Sequence, residues 1–239
     1  MKWFWFYFVF VLFFTGCLDD KKAKNHIITN IPEASGIDYC KNSDTFVVAN
    51  DEGKFYEIDK SGKIINTNSL GKYDLEGVAC EDDKFVFAVE DGKILTVDRK
   101  TLSQNLLPIE EFKHFGKNSG IEGIAKLDKN FILSTQSKDK DDAFLIIITL
   151  KNNKAKIENK ISSNIVDSSG LDYKDGKLYI VSDKKDKLYI YDLENEKITS
   201  KIVLPPFAIE GVALDNEDNI WFADDNGAVL RYSLKELSI

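Results

Sequence analysis

Histidine is nearly absent: the 239 residues contain only His26 and His114. A nucleophile–histidine–acid triad has almost nothing to be built from, and His114 lies in a loop-like context that faces solvent. Cysteine is scarce too, at three residues, and no Cys-x-x-Cys or Cys/His spacing suggests zinc. Cys40 lies four residues after Gly36 and Cys80 three after Gly77. Their opposite parity suggests that they face different ways, so the expectation is two buried free thiols, although an oxidising compartment would permit a bond. Arginine occurs only as Arg99 and Arg231. Acidic residues outnumber basic ones, giving a net charge of −8. That balance argues against nucleic acid as a partner and against electrostatic adhesion to anionic lipid. No apolar run is long: Trp3 to Phe14 is short of the ~20 residues that span a bilayer as a helix. A 3.6-residue period is missing after the first turns of the chain. A short helical turn would sit only in the stretch 102–115.

What is present at the N-terminus is an address. Met1-Lys2 precedes the apolar run, and Thr15-Gly16-Cys17 follows it. A basic start, a short apolar core and small residues describe a secretory signal. The segment Phe14-Thr15-Gly16-Cys17 resembles a bacterial lipobox, which implies lipid attachment at Cys17. The charged stretch from Leu18 to Asn25 reads as a tether. The expected division is a signal peptide over 1–16, a lipidated cysteine and tether over 17–25, and one folded domain over 26–239. The expected location is the bacterial cell envelope, facing the periplasm. By the sorting rule of enteric bacteria, the lack of aspartate at position 18 favours the outer membrane over the inner one.

The folded part repeats itself. Ser-Gly or Glu-Gly recurs at Gly36, Gly77, Gly123, Gly170 and Gly211, followed by Ile/Leu-Asp-Tyr after the Ser-Gly copies and by Val/Ile-Ala after the Glu-Gly copies. After each come a second apolar run, an Asn/Asp/Gly turn and a third run, as in Thr45 to Ala49, then Asn50 to Gly53, then Lys54 to Asp59. A fourth, more polar run often follows. Short β-branched and aromatic runs punctuated by turn residues are hairpin strands. A period of about 40–50 residues built from strands marks a radial repeat. The fold class is therefore all-β: a five-bladed β-propeller of four-stranded blades. The last copy stops at its third strand, and the spare run His26 to Ile31 supplies the fourth. Closure by an N-terminal strand removes the exposed edges. A sixth blade would need about 40 more residues than the chain offers.

Each innermost strand starts, and each second strand ends, at the same end of the ring. The residue before each glycine is Ser35, Glu76, Glu122, Ser169 and Glu210. The ends of the second strands carry Asp51, Glu90, Gln136, Asp183 and Asp225. These positions should form two polar rings about the axis. Glutamates crowded in a low-dielectric funnel need a cation, protonation or dense hydrogen bonding. One reading makes each a hydrogen-bond acceptor for backbone N–H groups of the next blade. Another places a divalent cation, calcium above all, among Glu76, Glu122, Glu210, Asp51, Glu90, Asp183 and Asp225. Catalysis is the third.

The alternation of Ser-Gly-Ile/Leu-Asp-Tyr with Glu-Gly-Val/Ile-Ala resembles the bacterial SdiA-regulated propeller family, as do the strand ends Val48 to Asp51 and Ile180 to Asp183. The resemblance implies an exported propeller, often membrane-anchored. The Glu-Gly phrase is also similar to NHL repeats and to calcium-dependent lactonase propellers. Two functions are thus expected. One is a monomeric binding module, tethered through Cys17, for a cation, a small ligand or an envelope protein. The other is a calcium-dependent hydrolase of the lactonase kind. Asn50 is the only asparagine at the end of a second strand, which disfavours the hydrolase. The Lys138 to Asp142 run reads as a solvated hairpin connection.

Overall fold

The computed structural model describes residues 24–112 and 120–239. Strand β1 (Ile27–Thr29) comes first. Blade one is β2 (Ala34–Cys40), β3 (Thr45–Asn50), β4 (Lys54–Asp59) and β5 (Ile64–Ser69). Blade two is β6 (Leu75–Cys80), β7 (Lys84–Val89), β8 (Lys93–Asp98) and β9 (Gln104–Pro108). Blade three is β10 (Ile121–Leu127), β11 (Asn130–Thr135), β12 (Phe144–Lys151) and β13 (Lys154–Ser162). Blade four is β14 (Gly170–Lys174), β15 (Lys177–Ser182), β16 (Lys187–Asp192) and β17 (Lys197–Val203). Blade five is β18 (Ile209–Leu214), β19 (Asn219–Asp224) and β20 (Ala228–Ser233), completed by β1 against β20. The five-bladed propeller and its closure by an N-terminal strand are as the repeat implies. Inside each blade the strands are antiparallel, and the turns between second and third strands use Gly53, Gly92 and Gly227 at φ +77°, +80° and +100°. These are left-handed positions that glycine occupies without steric cost.

The core lies between blades. The second strands are buried along nearly their whole length, whereas the outermost β5 and β17 are mostly exposed. Each sheet has two apolar faces, one turned to the preceding blade and one to the following blade. Val78, one residue after Gly77, packs back against blade one with Phe55 and Phe87. Ala79 packs forward with Ile124 of blade three. Trp221 of blade five meets Phe46 of blade one at 4.2 Å between ring centroids.

The cysteines correct an expectation. Cys40 and Cys80 form a disulfide, with Cα atoms 5.4 Å apart. Opposite parity does make them face different ways. In a ring that is the condition for contact, because the forward face of one blade meets the backward face of the next. Cys40 looks forward from blade one, and Cys80 looks back from blade two.

The stretch 102–112 also departs from expectation: it carries β9, not a helical turn. Among the described residues the short helical turns are at Lys24–His26, Lys140–Asp142 and Asp183–Lys185. The second of these is the exposed connection between β11 and β12. Cys17, His114, the expected signal peptide and most of the expected tether lie outside the described residues. Among the described residues no helix is long and apolar enough to cross a membrane.

Candidate functional site: an acidic well above a ring of glycines

The five repeat glycines touch one another around the axis. A Cβ built on Gly36 would come 2.7 Å from the Gly77 Cα, and one on Gly77 would come 3.1 Å from the Gly123 Cα. The sequence continues at 3.0 Å to Gly170, 2.9 Å to Gly211 and 3.0 Å back to Gly36. A side chain at any of these positions would push two blades apart. The void left on the axis at this ring is about 10 Å³, room for one water at most. The ring is therefore a floor.

The residue before the glycine stands above that floor for a local reason. In blades one, two, three and five the pairing of the first two strands slips between the residue two before the glycine and the glycine itself. Such a β-bulge leaves one residue unpaired and re-aims its side chain. The bulged residues are Ser35, Glu76, Glu122 and Glu210. Ser35 donates its hydroxyl to the Leu75 carbonyl, and Ser169, in blade four, donates to Ile209 O at 2.9 Å. The serines thus tie their blade to the next. The glutamates do not: no donor among the described residues hydrogen-bonds to Glu76, Glu122 or Glu210. The backbone-acceptor role expected of them falls to two aspartates on the other side of the glycine ring. Asp38 accepts from Cys80 N at 2.6 Å, and Asp172 from Leu214 N at 2.7 Å.

The carboxylates above the floor crowd each other. Asp51, Glu76 and Glu210, from blades one, two and five, each place an oxygen within 4.8 Å of the others. Asp51 Oδ1 is buried and has no hydrogen-bond partner. A second set, Asp74, Glu76 and Glu90, meets the same distance within blade two. Glu76 belongs to both. Glu122, Asp183 and Asp225 join neither set. Burial pushes the Glu76 carboxyl up to about 10, and Glu122, Asp51 and Asp74 add to the rise. Burial likewise raises Glu122 to about 8, reinforced by Glu90 and Asp167. Glu210 rises to about 8 through burial and then Asp225. Asp51 rises to about 6, again chiefly by burial. Asp183, on the rim, is raised by burial and by Asp167. Lys184, a cation that opposes the rise at Glu122, is engaged by Asp167 through its ammonium at 2.8 Å and its backbone N–H at 2.7 Å.

Asp74 and Asp167 escaped the sequence reading. Both stand three residues before a repeat glycine, where the five copies read Glu33, Asp74, Gly120, Asp167 and Ala208. In blades one, two, three and five the carbonyl at this position accepts the N–H of the residue following the second strand: Glu90 N to Asp74 O is 3.1 Å, and Asp225 N to Ala208 O is 2.9 Å. That bond pins the outer acidic ring. Acidity in three of the five copies was the signal that could have revealed it.

The sequence profile of the SdiA-regulated family matches residues 18–227. Among solved structures, glutaminyl cyclase of Myxococcus xanthus superposes with a TM-score of 0.64 at 11% identity, over 86% of this chain and 94% of that one. A streptogramin B lyase superposes with a TM-score of 0.52 at 15% identity, over 85% of this chain and 70% of that one. At such identities the likeness is one of fold. No curated protein matches by sequence.

Proposed function

The chain belongs to the SdiA-regulated family, and from that premise and the acidic well we propose an exported, lipid-anchored binding module whose axial face holds a divalent cation. One observation carries this reading: Asp51, Glu76 and Glu210 converge to within 4.8 Å with an unpartnered, buried oxygen on Asp51. Three carboxylates on a closed floor suit a hard cation with oxygen ligands, and calcium is the first choice. The ion would offset the mutual repulsion that otherwise keeps these groups protonated. Export is supported by the Met1 to Cys17 pattern and by the disulfide, since such bonds persist in oxidising compartments. Binding is favoured over lactonase-like hydrolysis because Asn50 is already committed. Its side chain donates to Pro32 O at 2.7 Å and accepts from Glu52 N at 3.0 Å, which leaves no asparagine ligand at the strand ends.

Calorimetric titration of the full chain, held in detergent and stripped of metal with a chelator, tests the reading. Calcium is expected to bind with measurable heat and to raise the melting temperature, and Glu76→Gln or Glu210→Gln to remove both effects. A bound ion at a hundredfold excess over Kd stabilises the folded state by about 2.7 kcal/mol. Absence of heat and of thermal shift with calcium, magnesium and manganese would refute the cation site.

A further inference from the structure

The chain enters the ring at the end opposite the well. β20 starts beside the end of β19 at the well and runs away from it, and β1 pairs antiparallel with β20, so β1 starts at the opposite end. There His26 stacks on Tyr232 and donates through Nδ1 to the Arg231 carbonyl at 3.0 Å. Six residues, 18–23, separate Cys17 from the short turn Lys24–His26, and at full extension they reach about 22 Å. β20 alone, at six residues, is about 20 Å tall. With Cys17 held in a bilayer, turning the well toward the lipid would stretch the whole tether along the side of blade five. The opposite end needs no such stretch.

That end also carries apolar turn tips. The turns joining third to fourth strands lie there, and those of blades one and two are built alike. Asp59 accepts from Ser61 N at 2.8 Å and Lys63 N at 3.1 Å, and Asp98 from Lys100 N at 3.0 Å and Thr101 N at 2.7 Å. At these turns Ile64 is 40%, Ile65 49% and Leu102 39% exposed, each near an exposed lysine, Lys63 or Lys100. A Cβ on Gly62 would lie 2.5 Å from the Ile28 Cγ2, so the isoleucine pair adjoins the strand that carries the tether. Arg99 reaches Glu57 of β4 at 3.4 Å, which sets the turn of blade two against blade one. Apolar tips flanked by lysines suit the headgroup layer, where lysine stems lie along apolar surface and the ammonium stays in water. At a net charge of −8 the anchor and the apolar tips, not charge, hold the molecule down. We propose that the propeller, given the lipid anchor at Cys17 on which this inference rests, lies on the bilayer with the rim of blades five, one and two, placing Ile64, Ile65 and Leu102 in the headgroup layer. The well then opens away from the lipid. The glycine ring leaves about 10 Å³ on the axis, so whatever the well binds arrives from the aqueous compartment and not through the ring.

Tryptophan fluorescence tests the contact. Once residues 1–16 are cleaved, Trp221 is the one tryptophan left, and it is fully buried. Ile65→Trp places a reporter on the rim, with Ile64→Trp as a second. Val203→Trp places one at the well end, where Val203 pairs with Lys187 and is 67% exposed. The mature lipidated chains are incorporated into vesicles of phosphatidylethanolamine and phosphatidylglycerol with brominated acyl chains, and flotation of the vesicles reports anchoring separately. Ile65→Trp and Ile64→Trp are expected to lose emission relative to unbrominated vesicles, beyond any loss in the parent, and Val203→Trp to keep it. Quenching of Val203→Trp equal to that of the rim variants or greater, or no quenching in chains that float, would overturn the orientation and leave the anchor standing. Chains that do not float sink the anchor, and this inference with it.

Discussion

Glu76 sits where the two carboxylate sets meet, and its protonation should be visible in the stability of the protein. Unfolded, its carboxyl loses a proton near the ordinary 4.5, whereas in the fold burial and neighbouring acids hold the proton up to about 10. Between those values the folded state binds more protons than the unfolded one. Its contribution is therefore fully present at the acid end and is lost as pH rises toward the upper value. Glu76→Gln removes the titrating group while keeping its shape. At about pH 8 and without metal, the variant is expected to be more stable by roughly 1–3 kcal/mol, with the gap closing toward pH 5. Thermal melts across that range check this, and a gap that ignores pH would contradict the account. Glycine makes an equally local prediction. A Cβ on Gly170 would lie 2.1 Å from Glu210 O and 2.9 Å from the Gly211 Cα, both backbone atoms of the next blade. Gly170→Ala should cost about 3 kcal/mol or more, measured by urea unfolding, because backbone gives way less readily than side chains.

At the scale of elements, the first strand of a blade combines up to three jobs along its length. In blades one, two, three and five a bulge re-aims a side chain, in every blade the glycine touches the next blade, and in blades one and four an aspartate beyond the glycine clamps that blade. In blade one the far end of the strand carries Asp38 and Cys40. The disulfide to Cys80 closes a loop with a sequence separation of 40. By chain entropy a loop of that size is worth about 4 kcal/mol. The double variant Cys40→Ser/Cys80→Ser should melt well below the parent, whereas reductant should lower only the parent. β1 is the other decisive element. It is three residues long, yet Ile31 just after it is fully buried, and His26 before it stacks on Tyr232 at 3.9 Å. Deleting residues 26–31 should sharply lower the melting temperature, since blade five loses its outer strand and β20 becomes an open edge. An unchanged melt would mean that the ring closes without it.

For the whole molecule, the ring places every bulged residue on one face and ties the N-terminal segment to blade five, so a tether would leave from the last-closed blade. If Cys17 bears the lipid, Cys17→Ser should abolish labelling by radioactive palmitate and leave an unprocessed precursor. Equal labelling of both proteins would end the lipoprotein proposal. The same ring explains why the well holds its acids so firmly. Its floor is sealed by backbone, so burial and neighbouring carboxylates raise Glu76, Glu122 and Glu210 together.

Much of this was readable before any coordinates. Five glycines at a regular period, each followed by strand-like runs, determined the number of blades, and the missing last strand determined how the ring closes. The acidic residues before three of the glycines also marked the face where a site would lie. These are local, repeating signals, and a sequence states them directly. The structure alone decided which acids meet. Glu76 joins Asp51 and Glu210 while Glu122 joins neither carboxylate set, because the partners of a bulged residue depend on the neighbouring blades and not on its own strand. It also decided that the clamping acceptors are Asp38 and Asp172 and that Cys40 and Cys80 are bonded. Strand parity says which face a side chain takes. Only the curvature of the ring says that the opposite faces of two neighbouring blades are pressed together.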